Sequence, residues 1–186
     1  MRLALFGGAF DPIHNAHLRI AKEALRQFHL DRVLFVPAAC PPHKQTHAPY
    51  EDRYRMVELS VENEPGLEAS RLEAGSERNY SVDTVEKMKR GLKPEDQLFF
   101  LIGADAFAEI RTWKRWQDLV REVEFIVVGR PGHQYEIPEG ARVHSLDSVE
   151  LPVSSSDIRA RFEAGDPRLE SPPEVLRYIA ERKLYC

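Results

Sequence analysis

Two histidines three positions apart, His14 and His17, are the residues of this sequence best suited to binding a polyphosphate. They stand at the start of a helical pattern, soon after an apolar run at residues 3–6 that is typical of a buried strand. Asn15 occupies the position where a helix N-cap is expected. A helix N-terminus attracts anions through its free N–H groups and its partial positive charge. Taken alone, the pair fits a capping and a surface histidine equally well.

The surrounding residues narrow the kind of site. Gly7 and Gly8 follow the predicted strand and let the backbone turn tightly and approach a ligand closely. The GxxxxGK[ST] pattern of a P-loop does not occur, and GxGxxG does not follow the first apolar run. Neither a cysteine cluster nor an HExxH pattern accompanies the histidines, so we expect no zinc site. The segment predicts a polyphosphate site without a P-loop lysine.

A second candidate for anion binding lies near the other end of the chain. Ser154, Ser155 and Ser156 open a predicted helix, and three hydroxyl groups exceed what one N-cap needs. Arg159 follows one turn later, within reach of an anion at the same helix N-terminus. Capping alone would explain one of these serines. Two such segments at opposite ends of one chain favour a shared phosphate site.

A third candidate follows the apolar run at residues 98–102. Gly103 permits a close approach of the backbone to a ligand, and Asp105 could accept hydrogen bonds from ribose hydroxyls. A simple turn, with Asp105 capping the next helix, explains the same residues and is the better explanation when the segment is considered alone.

The elements that must position these residues alternate along the chain. Apolar runs predict five strands, at residues 3–6, 33–37, 98–102, 125–128 and, more weakly, 143–146. Helical patterns lie between and after them, at residues 16–28, 50–62, 82–89, 114–120, 155–163 and 172–183. This alternation favours an α/β fold with a doubly wound parallel sheet. Right-handed crossovers would then bring the strand carboxyl ends to one ligand-binding edge.

Length and composition fit one globular domain. The 186 residues predict a single domain over residues 1–186, with a helical segment at about 154–186 packed on it. Loop 37–49 is the longest irregular segment, and proline-rich loops of this length are often functional. The net charge of −4 predicts no general attraction to nucleic acid or to an anionic membrane.

Cysteine content and the N-terminal sequence predict the location of the protein. Only Cys40 and Cys186 are present, which gives no disulfide framework. The sequence begins with a strand and carries no signal-peptide pattern, and its apolar runs stay well below the ~20 residues of a membrane span. We therefore expect a cytoplasmic protein. The oligomeric state, including a homo-oligomer, is left open.

Together these motifs resemble those of the HxGH nucleotidyltransferase superfamily, and most of all those of bacterial nicotinate-nucleotide adenylyltransferases. The segment around His14 and His17 is similar to the HxGH signature, with Ala16 in place of the usual glycine. Ala9 stands where a serine or threonine is usual, which removes a hydroxyl that could contact a phosphate. VSSSDIR, residues 153–159, is similar to the ISSTxIR signature that binds ATP phosphates.

The resemblance extends over nearly the whole chain and implies a Rossmann-like nucleotidyltransferase fold. Residues 41–44, PPHK, are similar to a loop near the substrate phosphates. Residues 79–84, NYSVDT, are similar to the YSxDT segment that faces the pyridine nucleotide. Residues 102–119 and 125–132, IGADAFAEIRTWKRWQDL and FIVVGRPG, are similar to the IGxD…W…L…VVxRPG block. Without the resemblance, the PPHK loop would be interpreted as a solvated loop.

The resemblance also implies residue roles. The implied catalytic residues are His14, His17 and Arg159. The implied ATP site comprises Gly7, Gly8, Phe10, His17, Gly103, Asp105, Arg130, Ser154, Ser155, Ser156 and Arg159. The implied mononucleotide site comprises His43, Lys44, Tyr80, Thr84 and Trp113, with Trp113 stacked on the pyridine ring. Trp116 is expected in the core instead.

The implied reaction joins ATP and nicotinate mononucleotide to give deamido-NAD and pyrophosphate in NAD biosynthesis. Mg²⁺, carried mainly by the ATP phosphates, is the implied cofactor. The attacking phosphate has a second pKa of about 6, so no general base is needed.

Rival functions keep parts of the same pattern. Adenylyltransferases for nicotinamide mononucleotide or phosphopantetheine should share the phosphate motifs but not the Tyr80–Thr84 and Trp113 set. A non-catalytic nucleotide sensor is expected to lose His17 or Arg159, and both are present. A fragment of a class I aminoacyl-tRNA synthetase is rejected. Residues 86–90, EKMKR, lie in a helical segment between the two halves of the predicted sheet and not in a loop after the last strand, and the chain lacks room for a tRNA-binding domain.

Overall fold

A parallel six-stranded sheet forms the centre of the protein, as seen in a computed structural model that describes residues 1–41, 45–75, 79–129, 135–147, 154–166 and 170–185. Its strands are β1 (Arg2–Gly8), β2 (Arg32–Pro37), β3 (Leu67–Ala69), β4 (Gln97–Gly103), β5 (Glu124–Gly129) and β6 (Arg142–Asp147). The spatial order is β3-β2-β1-β4-β5-β6, and every neighbouring pair is parallel. The predicted α/β fold class with a doubly wound parallel sheet is confirmed.

Helices connect the strands and continue after the last one. They are α1 (Asn15–Gln27), α2 (Tyr50–Val61), α3 (Ser81–Lys89), α4 (Ala104–Ala108), α5 (Trp116–Glu122), α6 (Ser155–Glu163) and α7 (Pro173–Arg182), with a 3-10 turn at Ile110–Thr112. Each of these helices is too short or too polar to span a membrane within the described residues.

All five strands predicted from the sequence are present, and the differences concern short elements. β3 was missed because it has three residues, of which only Leu67 is buried. α4 was missed because its five residues give no measurable period. α5 begins two residues later than predicted, at Trp116, because Arg115 before it adopts a left-handed conformation with φ of 52°.

Alternate strand residues enter two separate apolar cores, so both faces of the sheet are buried. Phe6 and Leu101 point into a core completed by α1, α2 and α7. Leu5 and Phe100 point into the opposite core, completed by α3, α4 and α5. The nearly continuous apolar strands follow from this burial on both sides.

The strand order reverses between β1 and β4. From β1 the chain continues outward through β2 to β3, and the later strands β4 to β6 build outward on the other side. A crevice therefore opens beyond the carboxyl ends of β1 and β4, which is where ligands bind in open α/β sheets.

Candidate active site

A cleft of about 630 Å³ lies at this reversal point. It is lined by the ends of β1, β4 and β5 and by the N-terminal turns of α1, α4 and α6. The cleft brings together most of the residues predicted to bind phosphate or ATP, namely Gly8, Phe10, His14, His17, Gly103, Asp105, Ser154, Ser155, Ser156 and Arg159. Of the described residues, Gly7 is the predicted ATP-site residue outside this lining.

The two histidines form one stacked unit at the N-terminus of α1. Their ring centroids are 3.7 Å apart with an angle of 25° between the planes. The predicted N-cap was wrong by one residue: His14, with φ of −144° and ψ of 171°, precedes the helix, and Asn15 is its first residue. The backbone N–H of Asn15 donates to the carbonyl oxygen of Glu170 at 2.8 Å, which leaves the imidazoles to form the wall of the cleft.

Hydrogen bonding determines which nitrogen of His17 carries the proton. Its Nδ1 accepts a hydrogen bond from the backbone N–H of His14 at 3.2 Å. A neutral His17 therefore carries its proton on Nε2, which makes that nitrogen the hydrogen-bond donor of the ring. The edges of Phe6 and Phe10 contact the same ring at centroid distances of 6.0 and 5.1 Å, which restricts its orientation.

His14 is neutral near pH 7. The residue is 5% exposed, and burial lowers the pKa of its imidazole from 6.5 to about 4, against a weak opposing effect of Asp157. Its Nδ1 is buried and has no hydrogen-bond partner among the described residues. His14 can therefore donate an N–H to a phosphate but does not supply a positive charge.

The turn after β1 differs from the predicted one. Neither Gly7 nor Gly8 has a positive φ, and the left-handed residue is Phe10, with φ of 47°. Gly8 is required for space, because a Cβ atom there would lie 2.9 Å from the Phe10 ring. Gly7 is exposed and a Cβ atom there would meet nothing closer than 3.8 Å, so its part in binding ATP stays a prediction.

The N-terminus of α6 is joined directly to the loop before α1. Ser154 is the N-cap, and its Oγ accepts from the backbone N–H of Asp157 at 3.1 Å. Ser155 Oγ donates to the carbonyl oxygen of Pro12 at 2.9 Å. Arg159 Nη1 donates to the carbonyl oxygen of Asp11 at 2.6 Å, and its Nη2 donates to Ser156 Oγ at 3.2 Å. The two phosphate motifs, far apart in sequence, therefore form one unit.

The start of α4 closes the third side of the cleft. Gly103 precedes α4 with extended backbone, and a Cβ atom there would have nothing within 4 Å. The space above it is open to a ligand. Asp105 is exposed in the first turn of α4 and also lines the cleft. The predicted contact of these residues with the adenosine side stays a prediction.

The residues predicted to bind the pyridine ring lie on the opposite face of the sheet and, among the described residues, do not line this cleft. Trp113 packs against Phe100 with centroids 6.3 Å apart. Tyr80 precedes α3 as its N-cap. Thr84 Oγ1 donates to Glu73 at 2.7 Å, and burial raises the pKa of this carboxyl.

Three predicted site residues cannot be placed. His43, Lys44 and Arg130 lie outside the described residues. Their roles in binding stay predictions.

The sequence analysis missed Asp11 and Arg53, two buried charged residues that build the cleft. Arg53 is 1% exposed and donates to the carbonyl oxygens of Ala9 at 2.7 Å and Ala38 at 2.8 Å. It thereby links the loops after β1 and β2. The available signal for Arg53 was its position on the buried side of α2. Asp11 lies in the same segment as His14 and His17, and the histidines were singled out there instead.

The cleft combines helix N-termini, two imidazoles and one guanidinium, an arrangement suited to binding phosphate groups. Residues 5–161 match the family described as Cytidylyltransferase-like. A probable nicotinate-nucleotide adenylyltransferase of Solibacter usitatus is 57% identical over 187 residues, which cover 100% of both chains. One of Exiguobacterium sibiricum is 43% identical, again with 100% of both chains covered.

A solved structure agrees with the fold. The nicotinic acid mononucleotide adenylyltransferase of Plasmodium falciparum, complexed with NaAD, superimposes with a TM-score of 0.82 at 24% identity, covering 99% of this chain and 97% of that one. The chain belongs to the cytidylyltransferase-like family and, within it, to the nicotinate-nucleotide adenylyltransferases.

Proposed function

We propose that the protein transfers an adenylyl group from ATP to nicotinate mononucleotide, giving deamido-NAD and pyrophosphate. The observation that carries the proposal is the cleft in which His14, His17 and Arg159 meet at two helix N-termini. Such an arrangement binds phosphate groups without a P-loop. The similarity to nicotinate-nucleotide adenylyltransferases over the full chain supports this reaction over other adenylyl transfers.

The chemical step is a displacement at the α-phosphorus of ATP. A phosphate oxygen of nicotinate mononucleotide forms the new P–O bond, and the bond between the α-phosphorus and the bridging oxygen breaks. Pyrophosphate leaves with the bonding electron pair. The nucleophile is already ionised at neutral pH, because its second pKa is about 6. Catalysis then depends on holding the two phosphates in line and on stabilising the leaving charge.

Each cleft residue has a proposed role that follows from its hydrogen-bond donors and its charge. His17 donates through Nε2, since its Nδ1 is occupied by the backbone of His14. His14 donates as a neutral ring, since burial lowers its pKa to about 4. Arg159 supplies the positive charge, and the carbonyl of Asp11 fixes one side of its guanidinium. Arg159 would then supply charge beside the leaving pyrophosphate, and the two imidazoles would donate hydrogen bonds to the phosphates.

A dedicated metal cage is not evident in the described part of the chain, where no group of three or more His, Cys, Asp or Glu side chains is placed to bind an ion. Asp11, which lines the cleft, has its carboxylate oxygens occupied by backbone N–H groups and a tyrosine hydroxyl. We propose that Mg²⁺ reaches the site on the phosphates of ATP, as Mg²⁺ usually does in enzymes that act on nucleoside triphosphates.

The mononucleotide ring is proposed to bind on the side of Trp113 and Tyr80. Trp113 offers a half-buried flat apolar surface. The backbone N–H groups at the start of α3, which follow Tyr80, can donate to both oxygens of a nicotinate carboxylate. The amide NH₂ of a nicotinamide ring would face the same donors without an acceptor, so nicotinate is preferred. The cytoplasmic location and a homo-oligomeric state stay predictions.

A turnover assay with a panel of acceptors tests the proposal. The purified protein is incubated with ATP, Mg²⁺ and either nicotinate mononucleotide, nicotinamide mononucleotide or phosphopantetheine, and each adenylylated product is quantified. We expect the highest kcat/KM with nicotinate mononucleotide. A higher value with either other acceptor would contradict the proposed substrate. No product with any acceptor, despite ATP binding, would favour a nucleotide sensor instead.

A further inference from the structure

Asp11 lies at the rim of the cleft and connects segments that are far apart in sequence. The residue is 3% exposed. Its carboxylate accepts the backbone N–H of His47 at 2.7 Å and that of Ala48 at 3.0 Å. The hydroxyl of Tyr185 donates to Oδ1 of the same carboxylate at 2.7 Å. The orientation of Asp11 is therefore set from two sides, by the loop before α2 and by the segment after α7.

The backbone at Asp11 also sets the position of two cleft residues. The carbonyl oxygen of Asp11 accepts from Arg159, and the next carbonyl, that of Pro12, accepts from Ser155. Any rotation of the Asp11 peptide would move both acceptors. The guanidinium of Arg159 would then shift relative to the phosphates in the cleft.

Tyr185 reaches this rim through a short segment that follows α7 and contains two left-handed residues. Lys183 and Tyr185 both adopt left-handed conformations, with φ of 52° and 61°. The ring of Tyr185 packs against Phe162 of α6 at a centroid distance of 6.3 Å. Burial and the bond to Asp11 raise the pKa of Tyr185, so its hydroxyl stays protonated and remains a donor.

We propose that Tyr185 is a positioning residue for adenylyl transfer, which fixes Asp11 and through it the carbonyl that orients Arg159 toward the ATP phosphates. The proposal rests on the function proposed for the cleft. Tyr185 itself does not line the cleft, so its influence passes through the hydrogen bond to Asp11.

Helix α7, which precedes Tyr185, offers a matched control. Tyr178 donates its hydroxyl to Oδ1 of Asp52, also at 2.7 Å, and Asp52 is 5% exposed. The two tyrosines thus make bonds of equal length to two buried carboxylates. Asp52 lies on α2 outside the lining of the cleft. Removing the hydroxyl of Tyr178 should therefore lower the stability of the protein without changing its affinity for ATP.

The experiment compares Tyr185→Phe with Tyr178→Phe in the full chain. Affinity for a non-hydrolysable ATP analogue is measured by calorimetry, kcat and KM by product formation, and stability by urea unfolding. We expect similar shifts of the urea midpoint in both variants. Tyr185→Phe should lose about tenfold in affinity for the analogue and in kcat/KM for ATP, because small displacements of a catalytic group are costly. The KM for nicotinate mononucleotide should stay within about twofold of wild type.

Equal ATP-analogue affinities in the two variants would overturn the proposal, as would equal losses for both substrates in Tyr185→Phe. Should Tyr185→Phe not fold, Asp11→Ala removes the acceptor of the same hydrogen bond and must show the selective loss of affinity for the ATP analogue. The affinity for the ATP analogue is measured without the mononucleotide that accepts the adenylyl group. Absence of deamido-NAD formation by wild type would therefore refute the proposed reaction, while analogue binding would still decide the role of Tyr185.

Discussion

The two faces of the sheet place the two sets of predicted site residues in different environments. On the α1 side, His14, His17 and Arg159 line one cleft, and the loop at Asp11 and Pro12 bonds directly to α6. On the α3 and α5 side, Tyr80, Thr84 and Trp113 pack on the second core. The side chains of the first set border the open space of the cleft. In the second set, part or all of each side chain is covered by neighbouring residues of the protein.

This difference indicates how each half can contribute to catalysis. Groups fixed by hydrogen bonds from several segments need little rearrangement when charge develops, so they can stabilise a transition state. A half-buried ring such as Trp113 offers area to a ligand and so contributes mainly to affinity. We therefore expect substitutions on the cleft side to lower kcat and substitutions on the α3 side to raise KM for the mononucleotide.

The largest effect is expected for His17→Ala. Loss of one preoriented donor to a developing anion costs about 100- to 1,000-fold in kcat. Steady-state kinetics on folded protein checks this expectation. His144→Ala serves as the control, since His144 is another half-exposed imidazole, bonded to Glu124 at 2.8 Å and outside the cleft lining. Near-normal kcat in folded His17→Ala would remove the histidine from the catalytic set.

A large effect on stability is expected from the buried, neutral His14. The unfolded chain binds a proton at this imidazole below its ordinary pKa of 6.5, whereas the folded protein does so only below about 4. Stability from this site is therefore complete above pH 6.5 and is lost as the pH falls through about 4, on the order of 3 kcal/mol in total.

Urea unfolding between pH 4 and pH 7 measures this contribution. His14→Asn should show a shallower fall in the free energy of unfolding than wild type. His29→Asn, which replaces an exposed imidazole at a left-handed position, should keep the wild-type slope. Parallel curves for His14→Asn and wild type would show that His14 is not held neutral by burial.

Arg159→Ala should affect ATP more than the mononucleotide. Charge-assisted hydrogen bonds to phosphate are roughly twice as strong as neutral ones, so we expect about a 10- to 50-fold loss in kcat/KM for ATP. Arg161→Ala, on the same helix but outside the cleft lining, is the matched control. Calorimetric titration of each substrate provides the measurement. Equal weakening of both substrates would place Arg159 away from the pyrophosphate.

The smallest effect is expected for Trp113→Ala. Loss of the aromatic surface should raise the KM for nicotinate mononucleotide about fivefold, with kcat nearly unchanged. Trp116→Ala is the control, because Trp116 packs on the same core and is likewise half-buried. It should lower the melting temperature and leave KM unaltered. A KM shift in Trp116→Ala alone would exchange the roles of the two tryptophans.

The sequence predicted the sheet, and the meeting of its two histidine- and serine-bearing helix starts at one cleft, because both depend on local patterns. Continuous apolar runs identify strands buried on both faces, and loops after such strands gather at one edge. The serines of α6 and the histidines of α1 were recognisable because both segments combine a helix start with more polar side chains than one N-cap needs. Even there, the N-cap of α1 was displaced by one residue, since His14 and Asn15 are both compatible with that position.

What the sequence did not predict comes from tertiary contacts. Arg53 gives no local sign that four loop carbonyls surround its guanidinium, at 2.7 to 3.4 Å. Tyr185 and Asp11 are separated by 174 positions, and only the folded chain joins them. β3 is ordered by pairing with β2 and not by its own three residues.

The central claim is that the histidines of α1 and the arginine of α6 bind one triphosphate together. A crystal structure with a non-hydrolysable ATP analogue and nicotinate mononucleotide tests it most directly. The account predicts phosphate oxygens within hydrogen-bond distance of both His17 Nε2 and the Arg159 guanidinium, with the nicotinate phosphate facing the α-phosphorus. A triphosphate bound away from either residue, or a mononucleotide phosphate on the far side of the sheet, would contradict the account.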